Sequence, residues 1–416
     1  MTGSVVLENG VIKEVIPQNA GKQPPAQVTA VIDGKGLTLL PAFIDLHAHF
    51  RDPGFPDKET LESASLAARA GGYGTVVCMA NTKPVIDAFE AVHSLIARSA
   101  ALGLIDLYPA MALTKGMEGK ELSDIKRGLA KEAGRMPLSS PSPVRMFSED
   151  GKDVLDDRLF FDAFTAAARF GVPVSCHCDN GGIEAEDAKR AGEPREVWSR
   201  IEENNATERA LRLGNEAGCA PHIAHVSAKE AVALIREAKR KRTPVTCEAT
   251  PHHIARTQET AALLGKDSFG RVNPPLRIEE DRRALIAGIA DGTIDAIATD
   301  HAPHTMRDKA DGAPGFSGLE TAFAVCHTEL VRKGVISLQK LSSLMSAAPA
   351  RILGLGDRGA LREGLRADLV VVDTEAAWTV DPALFRSRGK NSAFTGEKVW
   401  GKVLATCCGC GFLHHK

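Results

Sequence analysis

A small set of side chains in this sequence could bind cations and activate water. They are His47 and His49 around Ala48, the carboxylates Glu149 and Asp150, the single histidines His177 and His225, and Asp300 followed by His301. A lone histidine at a strand end is more often a hydrogen-bonded structural residue than a ligand, and one H-x-H arises by chance in many chains. Four histidines and two aspartates distributed over five strand ends are another matter. Residues i and i+2 of a strand share a face, so His47 and His49 can grip one ion together. Imidazole nitrogen with carboxylate oxygen and no thiolate suits zinc, while manganese and iron fit the same donor types. The set His47, His49, Asp150, His177, His225 and Asp300 exceeds the need of one tetrahedral zinc. It therefore predicts two cations, one bridging carboxylate and a shared water made nucleophilic near neutral pH.

Donors so far apart can meet only if the chain brings several strand ends to one place. Eight short apolar runs offer this: LTLLPAFIDLH (37–47), TVVCMAN (75–81), LIDLYPAMAL (104–113), VRMFSED (144–150), VPVSCHC (172–178), PHIAHVS (221–227), PVTCEAT (244–250) and DAIATD (295–300). Between them lie segments of helical spacing such as KETLESASLAARAG (58–71), LFFDAFTAAARFG (159–171) and ATERALRLGNEAG (206–218), several ending in a helix-stopping glycine. Eight strands with seven crossovers predict an α/β fold, a (β/α)8 TIM-like barrel whose strand C-termini converge on one mouth. The runs 5–16 and 28–35, with 365–373 and 398–406, read as antiparallel hairpins. Residues 1–38 and 359–416 are thus expected to form a small β-subdomain from both termini, and residues 39–358 the barrel. RMPLSSPSPV (135–144) reads as an exposed loop.

Composition narrows the classes. With 51 Lys and Arg against 53 Asp and Glu, the charge balance favours no polyanion, so a nucleic acid partner is not expected. No apolar run is long enough to span a membrane and the N-terminus lacks a signal pattern, so a soluble, cytoplasmic chain is expected. Nine cysteines in 416 residues are too few for a disulfide scaffold. The lone C-x-x-C from Cys407 to Cys410 has no second ligand pair, and reads as free thiols.

Finer motifs add a resemblance. PAFIDLHAHFRDPG (41–54), MANTKPV (79–85), FSEDG (147–151), AHVSAKE (224–230), ATPHH (249–253), VNPPLR (272–277), ATDHAPHT (298–305) and GLET (318–321) resemble class I dihydroorotase of the amidohydrolase superfamily, over nearly the whole chain. The resemblance implies His47, His49 and Asp300 on one zinc, His177 and His225 on the other, and Asp150 bridging. Hydantoinases and allantoinases commonly bridge with a carboxylated lysine. The stretch VRMFSED has none, and Arg145 cannot serve because its guanidinium stays protonated.

The implied substrates are dihydroorotate and N-carbamoyl-aspartate. Arg51, Asn81 and His304 would contact the substrate carboxylate, for which an arginine fork is well shaped. Asn273 and the backbone around Pro314 and Gly315 would contact the ring amide. The implied reaction is the reversible cyclisation of de novo pyrimidine biosynthesis, with Asp300 taking a proton from water and passing it to the departing ring nitrogen. A homo-oligomer is implied, with association with aspartate carbamoyltransferase left open. The reading from another class, a silent scaffolding subunit, would lack metal ligands, and all six positions are filled here. His252 and His253 read as structural or lining the mouth, His301 as facing away, and His222 as lying at the opposite pole. Two features depart from the family: the chain starts at VVLENGVIKEV, where relatives have a preceding strand, and it ends in CCGCGFLHHK.

Overall fold

A computed structural model describes residues 2–19, 29–129, 143–179, 182–262, 270–409 and 411–414. Most of the loop expected over 135–144 falls outside them, as do residue 28 and Cys410. Strands β1 (Gly3–Glu8) and β2 (Val11–Pro17) form an antiparallel hairpin. It turns at Asn9 and Gly10, both at positive φ as a two-residue hairpin turn requires. Strand β3 (Thr38–Pro41) leads into β4 (Phe43–Ala48), the first strand of the barrel.

The remaining barrel strands are β5 (Tyr73–Cys78), β6 (Asp106–Pro109), β7 (Phe147–Ser148), β8 (Val174–Cys176), β9 (Pro221–Ile223), β10 (Thr246–Ala249) and β11 (Ala296–Ile297). They pair in parallel as two ladders, β4-β5-β6 and β7-β8-β9-β10-β11. Single parallel bridges join the ladders, Met111 with Phe147 and Ala48 with His301. At these seams the Ser148 N–H donates to Met111 O at 3.0 Å and the His49 N–H to His301 O at 2.7 Å. All eight expected runs thus contribute a strand, and the ring closes in sequence order.

The helices between them follow local signals. Asp156 caps helix Asp157–Phe170 by accepting from the Leu159 N–H, and Gly171 ends it in the left-handed conformation. Its stripe of Phe160, Ala163, Phe164 and Ala167 is buried against the barrel. Helix Arg195–Ala217 is longer than the 206–218 segment that sequence suggested. Its first turns, REVWSRIEENN, are dominated by charged and polar side chains and carry little apolar period.

The termini build a second sheet in the order β14-β13-β12-β3, from β12 (Leu369–Thr379), β13 (Lys398–Cys408) and β14 (Gly411–His414). The β1–β2 hairpin leans on it through Ile12, packed with Leu369 and Cys407. Two expectations change. Residues 29–35 form no strand, and β3 takes the place beside β12, pairing Leu40 with Val370. The run 37–47 is two strands because the backbone changes partners at Ala42: its N–H donates to Asp368 O, while the next N–H, of Phe43, donates to Gly72 O. The expected boundary after residue 38 therefore falls inside β3.

Phe43 sits at this junction, 5.6 Å from the Tyr73 ring and 5.2 Å from that of Phe323. Gly72 is required beside it, since a Cβ there would lie 2.8 Å from the Phe43 ring and 3.0 Å from Val370. Phe43→Ala should cost roughly 3–5 kcal/mol. Because the junction belongs to both sheets, urea unfolding followed by far-ultraviolet circular dichroism and by tryptophan fluorescence, to which Trp378 and Trp400 of the terminal sheet contribute, should give one coincident transition at a lowered midpoint.

Candidate metal centre

The strand ends bring most of the expected donors within reach of one another. His47, His49 and Asp300 offer ligand atoms that all lie within 4.8 Å of one another, and so do His47, Asp150 and His225. His47 Nε2 is 3.1 Å from Asp150 Oδ1 and 3.7 Å from Asp300 Oδ1. His49 Nε2 is 3.2 Å from Asp300 Oδ1 and 3.5 Å from Asp150 Oδ2. Asp150 thus touches both histidines of the H-x-H pair. His177 stands one step further out, its ring edge-on to His225 with centroids 4.5 Å apart and its Nδ1 3.2 Å from Asp179 Oδ2.

Among the described residues, three atoms at the centre are buried without a hydrogen-bond partner: His47 Nε2, Asp150 Oδ1 and His225 Nε2. Leaving one such group unsatisfied costs about 1–3 kcal/mol, more when it is charged. Nitrogen and carboxylate oxygen facing each other in this way fit a divalent cation. The neighbouring thiols do not compete, because burial pushes Cys176 and Cys178 well above the ordinary thiol range and keeps them protonated. His225 and Asp300 also hold φ of 30° and 46°, a strained conformation for such residues that concentrates at functional sites.

The electrostatics are polarised. Burial opposes ionisation of Asp150, yet His47, His49 and His177 hold its carboxyl well below the usual range. Burial likewise opposes the charged form of His47, but Asp150 outweighs it and lifts the imidazole well above its ordinary value. For His177 burial is again outweighed, here first by Asp179, which takes it up to about 9. His225 goes the other way, pushed well down by burial and then by His177 and His47.

The expected substrate residues surround this centre unevenly. Arg51, at φ 59°, places Nη2 3.3 Å from His304 Nε2 and donates from Nε to Pro303 O. Among the described residues no carboxylate lies within ion-pair distance of Arg51, so it is not tied up in a surface pair. Burial lowers its guanidinium, and the negative charges that act on it most are Asp300 and Asp150. Burial, then Arg51 and Lys58, push His304 down to about 3, so it stays neutral and donates from Nε2 to Pro314 O at 2.9 Å.

Asn81 uses its amide on the cluster itself, with Oδ1 3.0 Å from His49 Nδ1 and Nδ2 donating to Asp150 Oδ2 at 3.0 Å. Asn273 accepts from Arg195 Nη2 at 3.0 Å. The Gly315 N–H donates to Arg271 O, and its carbonyl accepts from Lys309 Nζ and Asn391 Nδ2.

Several residues here escaped sequence reasoning. Glu248 is fully buried on β10, with Oε1 3.1 Å from His47 Nδ1 and Oε2 3.0 Å from His222 Nε2. His222, expected at the opposite pole, is therefore connected to the centre through the length of the glutamate side chain. Asp179 stands behind His177 in the same way. The only local signal for Glu248 is a carboxylate in the middle of an apolar strand, PVTCEAT. His301 does point elsewhere, 3.4 Å from Glu59 Oε2. His253 bonds Thr250 and Pro274 O, and His252 packs against it with rings 4.5 Å apart.

Comparison with known proteins places this geometry. The amidohydrolase family matches residues 38–409. A dihydroorotase of Caldanaerobacter subterraneus subsp. tengcongensis is 39% identical over 416 residues, covering 97% of this chain and 91% of that one. A dihydroorotase of Bacillus caldolyticus is 39% identical over 420 residues, covering 98% and 94%. Among solved structures, the L-hydantoinase (dihydropyrimidinase) of Arthrobacter aurescens superposes with a TM-score of 0.85 at 25% identity, covering 99% of this chain and 92% of that one. The dihydropyrimidinase of Brevibacillus agri gives 0.79 at 23% identity, covering 99% and 91%, a likeness of fold alone.

A cation that fills the cluster should stabilise the fold, by about 2.7 kcal/mol when present at 100 times its Kd. Thermal melts of metal-free protein with and without zinc should show this gain, and Asp150→Asn should lose most of it. Since Asp150 and Asp179 hold protons on His47 and His177, zinc uptake should release protons and tighten as pH rises toward about 9. Isothermal titration in buffers of different ionisation enthalpy measures that release.

Proposed function

The chain belongs to the amidohydrolase family, among its dihydroorotases, and from that premise we propose that it interconverts L-dihydroorotate and N-carbamoyl-L-aspartate with Asp300 as the proton carrier. The observation that carries this reading is the Arg51 guanidinium, with no carboxylate at ion-pair distance among the described residues, beside His304 at the edge of a buried histidine and aspartate cluster. A ring bearing a carboxylate supplies the counter-charge that Arg51 lacks. A plain hydantoin ring leaves the half-buried Arg51 without a counter-charge.

We assign the cations as two zinc ions: His47, His49 and Asp300 hold one, His177 and His225 the other, and Asp150 spans both. Its grouping with both His47 and His225, which belong to different cations, supports the spanning role. Lys152, the lysine nearest Asp150 in sequence, donates its Nζ to Met117 O, which leaves the bridge to the aspartate. When bound, the ions supply Lewis acidity toward the ring carbonyl and lower the pKa of water.

The chain's own groups do the rest. Arg51 and His304 take the substrate carboxylate, and Asn81, already bonded to His49 and Asp150, completes that wall. Asn273 and the Pro314–Gly315 backbone meet the ring amide, with Lys309 holding the Gly315 carbonyl in place. This anchoring sets the scissile C–N bond beside Asp300, converting an encounter into an oriented reaction. Asp300 accepts the proton of the attacking water and returns it to the ring nitrogen as the C–N bond breaks; cyclisation is the same sequence reversed.

Asp300→Asn should retain dihydroorotate binding by calorimetry and lose turnover by about 10³-fold or more. Arg51→Met should raise KM on the order of 10- to 100-fold, the worth of a charged hydrogen-bonded pair. Initial rates on dihydroorotate, hydantoin and allantoin decide the substrate: hydrolysis of hydantoin or allantoin without dihydroorotate would overturn the proposal.

A further inference from the structure

Behind His47 lies a buried file of polar side chains that neither the cation set nor the substrate set uses. Glu248 faces His47 Nδ1 with Oε1 at 3.1 Å and His222 Nε2 with Oε2 at 3.0 Å, and His222 Nδ1 is 2.8 Å from Thr246 Oγ1. His47, Glu248 and His222 are at most 1% exposed. Strand pairing builds the file, because β9 and β10 align His222 with Thr246.

Proton accounting leaves one arrangement. Each oxygen of the Glu248 carboxylate faces one ring nitrogen and serves it as an acceptor. His47 Nδ1 and His222 Nε2 must then both carry protons. On the other side of its ring, His222 Nδ1 meets the Thr246 hydroxyl at 2.8 Å. With Nδ1 turned to Glu248, Nε2 is the His47 nitrogen left to hold a cation, and it faces Asp150 and Asp300.

We propose that Glu248 is a positioning residue for the cation held by His47, fixing that ring's tautomer and orientation, and that His222 and Thr246 hold Glu248 in turn. The inference rests on the reading of His47 as a ligand. A carboxylate behind a metal-bound histidine raises the basicity of the imidazole as well as aiming it, and its loss typically costs 10- to 100-fold in metal affinity.

The test is zinc affinity of the metal-free full-length protein, measured by competition with a chromophoric chelator. Glu248→Gln keeps the shape but offers one acceptor where two imidazole N–H groups need one each, and should weaken zinc binding 10- to 100-fold. His222→Asn should weaken it less and Thr246→Val least. Asp281→Asn is the control: it breaks a buried carboxylate pair with Arg200 and should lower Tm without moving zinc affinity. A folded Glu248→Gln that binds zinc as the wild type does overturns the inference. Should that variant not fold, unchanged affinity in both His222→Asn and Thr246→Val overturns it instead. A His47→Asn variant that takes up zinc as the wild type does would overturn the underlying reading, a separate failure.

Discussion

Everything in this molecule answers to the cost of gathering carboxylates and imidazoles out of water at one end of a barrel. Asp150, Asp300 and Glu248 are all buried, with four histidines among them. Isolated, each anion would be expensive to bury, and the apolar barrel offers little to pay that cost. The structure meets most of it by pairing each carboxylate with imidazole or amide, and among the described residues leaves three atoms at the centre without a hydrogen bond. That residue of unmet polarity suits the site to a small cation rather than an apolar ligand.

The scaffold carries this load through its closure. The seam between the first and last barrel strands is made by side chains as well as backbone: Asp45 accepts from the Thr299 N–H at 2.9 Å and from its hydroxyl at 2.5 Å. These groups sit two residues from His47 and one from Asp300. Closing the ring therefore sets the spacing between the first and last donors. On the far side of the mouth, Glu149 accepts from the backbone N–H groups of Leu113 and Thr114, tying the segment after β6 to the strand that delivers Asp150.

Much of this was legible from residue order. The eight apolar runs are bounded by polar residues and glycines, and an H-x-H at the end of a strand announces its own shared face. What escaped notice depends on register. Glu248 is one acid in PVTCEAT and means nothing until pairing sets β10 beside β9 and under His47. The link from His222 to the centre was missed for the same reason, since a position along one strand says nothing of how far a neighbour's side chain reaches. The split at Ala42 was hidden because LTLLPAFIDLH stays apolar throughout, while the change of hydrogen-bond partners depends on Asp368, more than three hundred residues away. The early turns of helix Arg195–Ala217 were missed because their stability comes from ion pairs such as Arg200 with Asp281 rather than from an apolar stripe.

The pairing of β3 with β12 has a temporal side. Leu40 meets Val370 across the sheet, yet on a ribosome making about 5–20 residues per second the two emerge tens of seconds apart. During that interval the edge of β3 has no neighbour, and the apolar strand β4 that follows it has no closing partner in β11. Early in synthesis the nascent chain thus presents a bare strand edge to its surroundings, the condition under which wrong pairing and chaperone capture compete with folding.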